Sequence, residues 1–179
     1  MLKTDSPVLD TRFFNRPTLK VARDLPGKYL CRRIKGKILS QPLVEVEAYD
    51  GVDDKASHAH RGSTPRNAVM FGPAGYWYVY LCYGMHWMLN IVTGPSEYPA
   101  AILLRGAGEF SGPGRLTKAL QINNTFNGKQ VTRSNGLWVE DRGVTVPAKE
   151  VKRMPRVGVD YAGPVWTKKP YRFVWNAHA

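Results

Sequence analysis

Apolar and polar positions alternate along several short stretches of this chain, and turn-forming residues separate them. From Leu43 to Tyr49 the alternation places Val44, Val46 and Ala48 on one side of a strand. It places Leu43, Glu45, Glu47 and Tyr49 on the other. Upstream, Tyr29 to Ile34 and Gly36 to Leu39 read as a hairpin. Tyr76 to Cys82 and Trp87 to Thr93 are two further strands, joined through Tyr83-Gly84-Met85-His86 as a hairpin tip. Ala100 to Leu104 is an apolar strand, and Arg105 ends it. Leu137 to Glu140, Val144 to Pro147, Arg156 to Val159 and Tyr171 to Val174 are shorter strand segments. Helical spacing is confined to brief runs. Leu19, Val21, Ala22 and Leu25 form one, with Thr18 as cap and Gly27 as stop. Thr64 and Pro65 open another as N-cap and first helical residue. Ser111-Gly112-Pro113-Gly114 opens a third, bearing Leu116, Ala119, Leu120 and Ile122. Asp50 to Gly62 is a polar loop. The mixture predicts an α+β fold: a single compact domain with a mostly antiparallel sheet and helices packed around it.

Composition narrows the class. At 179 residues, 43 % of them apolar, the chain has the size of one domain with a genuine core and no disordered tract. Thirteen prolines and seventeen glycines are scattered throughout, which favours short elements. No stretch approaches the ~20 apolar residues of a membrane span, and residues 1–5 lead into no apolar signal-peptide core. Cys31 and Cys82 read as reduced thiols of a cytoplasmic protein, nuclear if the source is eukaryotic. Charge adds the first functional hint. Lys plus Arg is 26 against 14 acids, a net +12 with a pI near 9.9. A dispersed basic surface of this kind attracts nucleic acid.

Several residues then become candidates for chemistry. Glu45, Glu47 and Tyr49 share a strand face, so a carboxylate able to take a proton from water stands beside a ring able to support a flat substrate. The same pattern also describes an ordinary polar strand face. Tyr76, Tyr78 and Tyr80 line one face of their strand, where Tyr76 and Tyr78 read as core. Tyr83 sits at the hairpin tip, where an exposed ring fits the gap between base pairs. Asn90 interrupts the apolar run Trp87 to Val92. Its amide either bonds neighbouring backbone or inspects a ligand edge. His58-Ala59-His60 lacks the partners of a zinc site, so no metal is expected. Gly112 to Lys118 lacks the Gly-Lys-Ser/Thr ending of a nucleotide-binding loop, so no nucleotide cofactor is expected. It does present Arg115 and Lys118 at a helix start suited to DNA phosphate.

These residues recur in order in a known family, which the chain resembles from Phe13-Phe14 to Tyr171-Arg172-Phe173. The matching segments include Val44-Glu45-Val46-Glu47-Ala48-Tyr49, Asp53-Asp54-Lys55-Ala56-Ser57-His58 and Thr64-Pro65-Arg66-Asn67. They continue with Tyr78-Val79-Tyr80, Tyr83-Gly84-Met85, Leu89-Asn90, Leu103-Leu104-Arg105, Gly112-Pro113-Gly114-Arg115-Leu116 and Arg156-Val157-Gly158-Val159. The family is that of the alkyladenine (3-methyladenine or methylpurine) DNA glycosylases. Its fold is a compact α+β domain with an antiparallel sheet and a protruding hairpin.

The resemblance implies roles. Glu47 is the general base that activates water, and Arg105 and the Val157 carbonyl help hold that water. Tyr49, His58 and Tyr80 sandwich a flipped base, Asn90 rejects guanine, and Tyr83 fills the hole left in the duplex. Arg66, Arg115 and Lys118 are expected on the DNA backbone. The implied partner is double-stranded DNA containing damaged purines: 3-methyladenine, 7-methylguanine, hypoxanthine or etheno-adenine. No cofactor is implied, no lysine matches a family nucleophile, and a monomer is expected. His86 and Trp87 depart from relatives, which carry other aromatics there. A non-catalytic nucleic-acid-binding module would explain the charge and the aromatics, but not Glu47, Arg105 and Asn90 in this order. An RNA-directed enzyme is a second rival class.

Overall fold

The structure, a computed structural model, describes residues 6–176. Residues 1–5, where the sequence predicts no signal core, lie outside them. The chain opens with two short helices, α1 (Thr11–Phe14) and α2 (Thr18–Asp24). Strands β1 (Tyr29–Ile34) and β2 (Lys37–Asp50) follow, then β3 (Trp77–Cys82), β4 (His86–Val92), β5 (Ala100–Ala107) and β6 (Phe110–Ser111). After helix α3 (Pro113–Ala119) come β7 (Leu137–Glu140), β8 (Val151–Met154), helix α4 (Gly163–Thr167) and β9 (Arg172–Trp175). Among the described residues, nine strands form one antiparallel sheet in the order β3-β4-β5-β2-β1-β7, with β6 on β5 and the β8–β9 pair on β2. The fold is α+β, as the pattern predicts.

β2 is the spine. The sequence divides it into two strands, but the backbone runs unbroken for 14 residues. Its first half pairs with β1, from Lys37↔Ile34 to Pro42↔Tyr29. Its second half lies between β5 and β9, with Glu47 opposite both Leu103 and Arg172. Two register shifts interrupt the β2–β5 ladder. Leu43 pairs with Ala107 and Glu45 with Gly106, so Val44 is an extra residue. Val46 then pairs with Leu104, so Arg105 is extra on the other strand. Such bulges re-aim side chains. Leu43 therefore joins Val46 and Ala48 in the core, instead of the Glu47 face that strict alternation assigns it. Arg105 lies within its strand rather than at its end.

Other expectations are adjusted by packing. Thr18 does not cap α2; Pro17 does, and the Thr18 hydroxyl is buried against Thr93 at 3.2 Å. Thr64 does accept from the Asn67 N–H at 3.3 Å, but the turn it closes leads only to a 3₁₀ segment, Ala68–Phe71. Val144 to Pro147 is not a strand. Val146 packs over Gly27, whose φ of +86° needs a residue without Cβ, and a Cβ there would lie 2.7 Å from Val146. Near the C-terminus the strand is Val151–Met154. Arg156 to Val159 is instead a loop leading into the 3₁₀ segment Asp160–Ala162. The main core lies under the sheet, where Phe14, Leu25, Trp77, Leu89, Ile102 and Trp138 are buried together. Among the described residues no helix is long and apolar enough to cross a membrane.

The β3–β4 hairpin projects as expected. Its last pair is Cys82↔His86, and the Met85 N–H bonds the Cys82 carbonyl at 3.1 Å. Tyr83 and Gly84 both take left-handed backbone, with φ +50° and +68°. This is the handedness that tight hairpin turns require. Tyr83 is 88 % exposed and Met85 71 %.

Candidate active site

The strand alternation around Glu47 places a carboxylate inside the protein. Glu47 has no solvent exposure, and three groups hold it. The Val157 N–H donates to Oε1 at 2.7 Å, and the Tyr49 hydroxyl donates to Oε2 at 3.0 Å. The Arg105 Nε lies 3.5 Å from Oε1. Burial raises the Glu47 pKa above the ordinary carboxylate value. Arg105, the Val157 N–H and Tyr49 pull it back only in part, and the charge of Glu45 adds to the rise. Tyr49 is raised as well, by burial and then by the Glu47 charge, so its hydroxyl stays protonated and donates. Glu45 holds Arg105 at 2.9 Å and Arg172 at 3.1 Å. Its place is to aim Arg105 beside Glu47.

Sequence reasoning missed the anchor of this arrangement. Arg156 and Asp54 form an ion pair with both side chains fully buried. One guanidinium nitrogen donates to Asp54 Oδ1 at 2.8 Å, and the other reaches both Oδ2 and the Ala48 carbonyl. Asp54 also accepts from the Asp50 and Ala56 N–H groups, each at 3.1 Å. The guanidinium lies 4.7 Å from the centre of the Tyr49 ring. One buried contact thus ties the end of β2, the loop after it and the Arg156–Val157 segment that grips Glu47. The partners are 102 positions apart, and neither stands out in its local pattern.

Beside Glu47 the tyrosines of β3 meet the 3₁₀ segment His58–Arg61. The structure brings Tyr49, His58, Tyr80 and Asn90 to the walls of one cleft of about 320 Å³, open at its mouth. The His58 and Tyr80 rings stand 4.5 Å apart at 69°. His58 Nδ1 is 2.9 Å from the Tyr78 hydroxyl. Desolvation and then the charge of Arg66 lower the His58 pKa, so the ring is neutral at pH 7. Asn90 is 3 % exposed. Its Nδ2 donates to the Tyr78 carbonyl at 3.0 Å and to that of Met88 at 3.4 Å, the backbone bonding read for it, and the residue also lines the cleft. Five more walls were not read from the sequence: Ala56, Met70, Tyr78, Ala101 and Tyr161. Tyr78 is buried, as read, in a core cluster with Met70, and its hydroxyl also meets His58. Tyr161 stands 69 % exposed at the mouth, its hydroxyl 2.9 Å from the Ala56 carbonyl.

The remaining candidates do not line the cleft. Arg66 braces the hairpin, donating to the Leu81 carbonyl at 2.9 Å with its guanidinium 5.3 Å from the Tyr80 ring. Arg115 and Lys118 are exposed on α3, which packs on β4 through a 2.9 Å bond from the Thr117 hydroxyl to the Trp87 carbonyl. Gly114 makes this approach possible, since a Cβ there would lie 2.9 Å from the His86 ring. His86 and Trp87, the departures noted in sequence, are therefore contacts to α3 rather than walls of the cleft. His58 and His60 do not converge: His60 Nδ1 bonds the Val52 carbonyl at 2.7 Å.

This geometry offers a buried carboxylate of raised pKa, hydrogen-bonded to Tyr49 in the wall of an aromatic cleft, and an exposed tyrosine at the tip of the hairpin that carries Tyr80. Compared with known proteins, the chain matches the sequence profile of the family described as Methylpurine-DNA glycosylase (MPG) over residues 12–110 and 108–179. It is 46 % identical over 188 residues to a protein of Methanocella arvoryzae named "Putative 3-methyladenine DNA glycosylase", covering 93 % of this chain and 92 % of that one. Proteins of the same name from Psychrobacter cryohalolentis and Anaeromyxobacter sp. (strain Fw109-5) are 40 % and 44 % identical. Those alignments cover 97 % and 96 % of this chain, and 94 % and 90 % of the relatives. On these matches, which span nearly its whole length, the chain belongs to the methylpurine-DNA glycosylase family.

Proposed function

We propose that this protein removes alkylated or deaminated purines from duplex DNA by hydrolysing the N-glycosidic bond. The observation that carries the reading is Glu47: a fully buried carboxylate, held by the Val157 N–H and by the hydroxyl of Tyr49, whose side chain walls the aromatic cleft.

The duplex conceals the glycosidic bond, so the damaged nucleotide rotates out at a cost of ~ a few kcal/mol, less where pairing is already weak. The exposed Tyr83 takes the vacated place in the stack and slows return. The base enters between Tyr49, His58 and Tyr80, where stacking contributes roughly 1–3 kcal/mol. A purine methylated at N3 or N7 is cationic, which adds attraction to the ring faces. Asn90 is fixed by its two backbone bonds, and it excludes the exocyclic amino group of guanine. Arg66, Arg115 and Lys118 contact the backbone.

Chemistry then proceeds at C1′. Water adds its oxygen to C1′ as the bond to the purine nitrogen breaks. The bonding pair leaves with the base, and Glu47 takes the proton from water. A methylated purine departs neutral, whereas hypoxanthine requires protonation as it leaves. Arg105 and the Val157 carbonyl hold the water. The Glu47 charge also stabilises the oxocarbenium-like sugar, and its raised pKa makes it a better base than an ordinary carboxylate. No lysine is among the described residues lining the cleft. The product is accordingly an abasic site in an uncut strand.

The test is a single-turnover assay on end-labelled duplexes carrying hypoxanthine, etheno-adenine or undamaged adenine, with and without hot alkali, and on methylated DNA. The expected result is lesion-specific, alkali-dependent cleavage or release of methylpurines. Glu47→Gln should bind the lesion duplex yet lose roughly 10²- to 10⁴-fold in rate. Wild-type rates in Glu47→Gln would overturn the base assignment. If no substrate reacts, a non-catalytic nucleic-acid-binding module is the better reading.

A further inference from the structure

A second, wider depression adjoins the aromatic cleft and shares two of its walls, His58 and Tyr161. Its other walls are Lys55, Ser57, His60 and Arg61. It measures about 1210 Å³ with its open mouth, against about 320 Å³ for the cleft. No carboxylate is among these walls. Asp53 and Asp160, exposed nearby in the chain, do not line it, and Asp54 is buried against Arg156. Lys55 and Arg61 are exposed, and among the described residues neither makes an ion pair.

These charges are mounted on a braced loop. The Ala56 N–H is held by Asp54 at 3.1 Å, and the Ala56 carbonyl accepts from Tyr161 at 2.9 Å. The turn bearing His60 and Arg61 is capped by Ser57, whose hydroxyl accepts from the Ala59 N–H at 3.2 Å. The Asn67 amide holds both ends of that turn, donating to the His58 carbonyl at 2.9 Å and the Gly62 carbonyl at 3.0 Å. Two uncompensated cations on a braced backbone, beyond the His58 and Tyr161 walls shared with the cleft, offer charge to anionic oxygens. Because the cleft and the depression share His58 and Tyr161, the sugar-phosphate chain of a nucleotide whose base occupies the cleft has these cations within reach.

We propose that the depression walled by Lys55, His60 and Arg61 is a DNA phosphate subsite, gripping the strand that delivers its base to the adjoining cleft. The inference rests on the glycosylase reading for the direction of the strand. Phosphate binding can nevertheless be measured without any excision.

The experiment is the salt dependence of binding to an undamaged duplex, for wild type, Lys55→Gln/Arg61→Gln, and a control pair, Lys35→Gln/Lys37→Gln. The control removes the same charge from exposed positions in the β1–β2 turn and at the start of β2, twelve and ten residues from Glu47 and roughly 30 Å or more along the strand. Each lost phosphate contact lowers the log–log slope by about 0.9, so the site pair should lose about 1.8. The control pair should change the slope by less than about 0.5. Lys55→Arg/Arg61→Lys, which keeps both charges, should restore the slope, and unchanged urea midpoints establish that the variants are folded. Equal slopes for the site and control pairs overturn the subsite, as does wild-type protein that does not bind the duplex at low salt. A steep, Lys55/Arg61-dependent slope in a protein that excises no damaged purine would leave the subsite standing and overturn the glycosylase reading instead.

Discussion

Asp54→Asn removes one charge from the ion pair that organises the site and leaves Arg156 behind. Both side chains have no solvent exposure, so the guanidinium cannot turn to water without opening the loop. Removing one member of a buried pair costs about 3–5 kcal/mol, because the remaining charge stays desolvated. Asn can still offer one oxygen to Arg156 and accept a backbone N–H, which places the loss toward the lower figure. For a domain of this length, a loss of that size lowers the melting temperature by about 6–20 °C. The assay is urea unfolding followed by tryptophan fluorescence, comparing midpoints at constant slope. The second arm is Asp54→Leu/Arg156→Met, which substitutes apolar side chains for the pair. It should recover most of the loss, since a buried pair often contributes little against a well-packed apolar replacement. A single variant less than about 1 kcal/mol below wild type would refute the reasoning. So would a double variant less stable than the single one.

Other expectations concern the chemistry. Because burial raises the Glu47 pKa and the base must be ionised to act, single-turnover rates on methylated DNA should rise with pH along an acid limb centred above 4.5. Stability should move oppositely: a carboxyl whose folded pKa is raised favours folding below its ordinary value and loses that contribution as pH climbs through the raised one. A rate already maximal below pH 4.5 would contradict the assignment. Tyr83→Ala should leave the unfolding midpoint within about 0.5 kcal/mol of wild type, since the ring is 88 % exposed. It should weaken lesion-duplex binding about 5- to 160-fold, the range set by stacking of 1–3 kcal/mol; unchanged binding would remove it as the wedge. Asn90→Ser should permit release of undamaged guanine, detected as free base by chromatography, and its absence would take discrimination away from Asn90.

The placement of Glu47 was legible because its cause is local. A period of two puts residues 45, 47 and 49 on one face in any strand, and the structure indeed joins Tyr49 to Glu47 at 3.0 Å. The Tyr83 tip was legible for the same kind of reason, since Tyr83-Gly84 between two apolar strands supplies a tight turn. Tyr76, Tyr78 and Tyr80 were seen to share a face, but not that Tyr78 would meet His58. That contact depends on where the loop after β2 folds back.

Sequence alone, then, determined the α+β class, the hairpin and the carboxylate-bearing face, because each follows from side-chain period and turn chemistry within a few residues. The tertiary structure decided what spans the chain. Val157 reaches Glu47 across 110 positions, and Arg156 reaches Asp54 across 102. The bulges at Val44 and Arg105 arise where two strands must twist together, and they send Leu43 inward against its own alternation. Val151 to Met154 became the strand beside β9, while Arg156 to Val159 became the loop that closes the site. Registers, bulges and buried ion pairs are selected by the partner that desolvates them, and a linear pattern carries no record of which partner that will be.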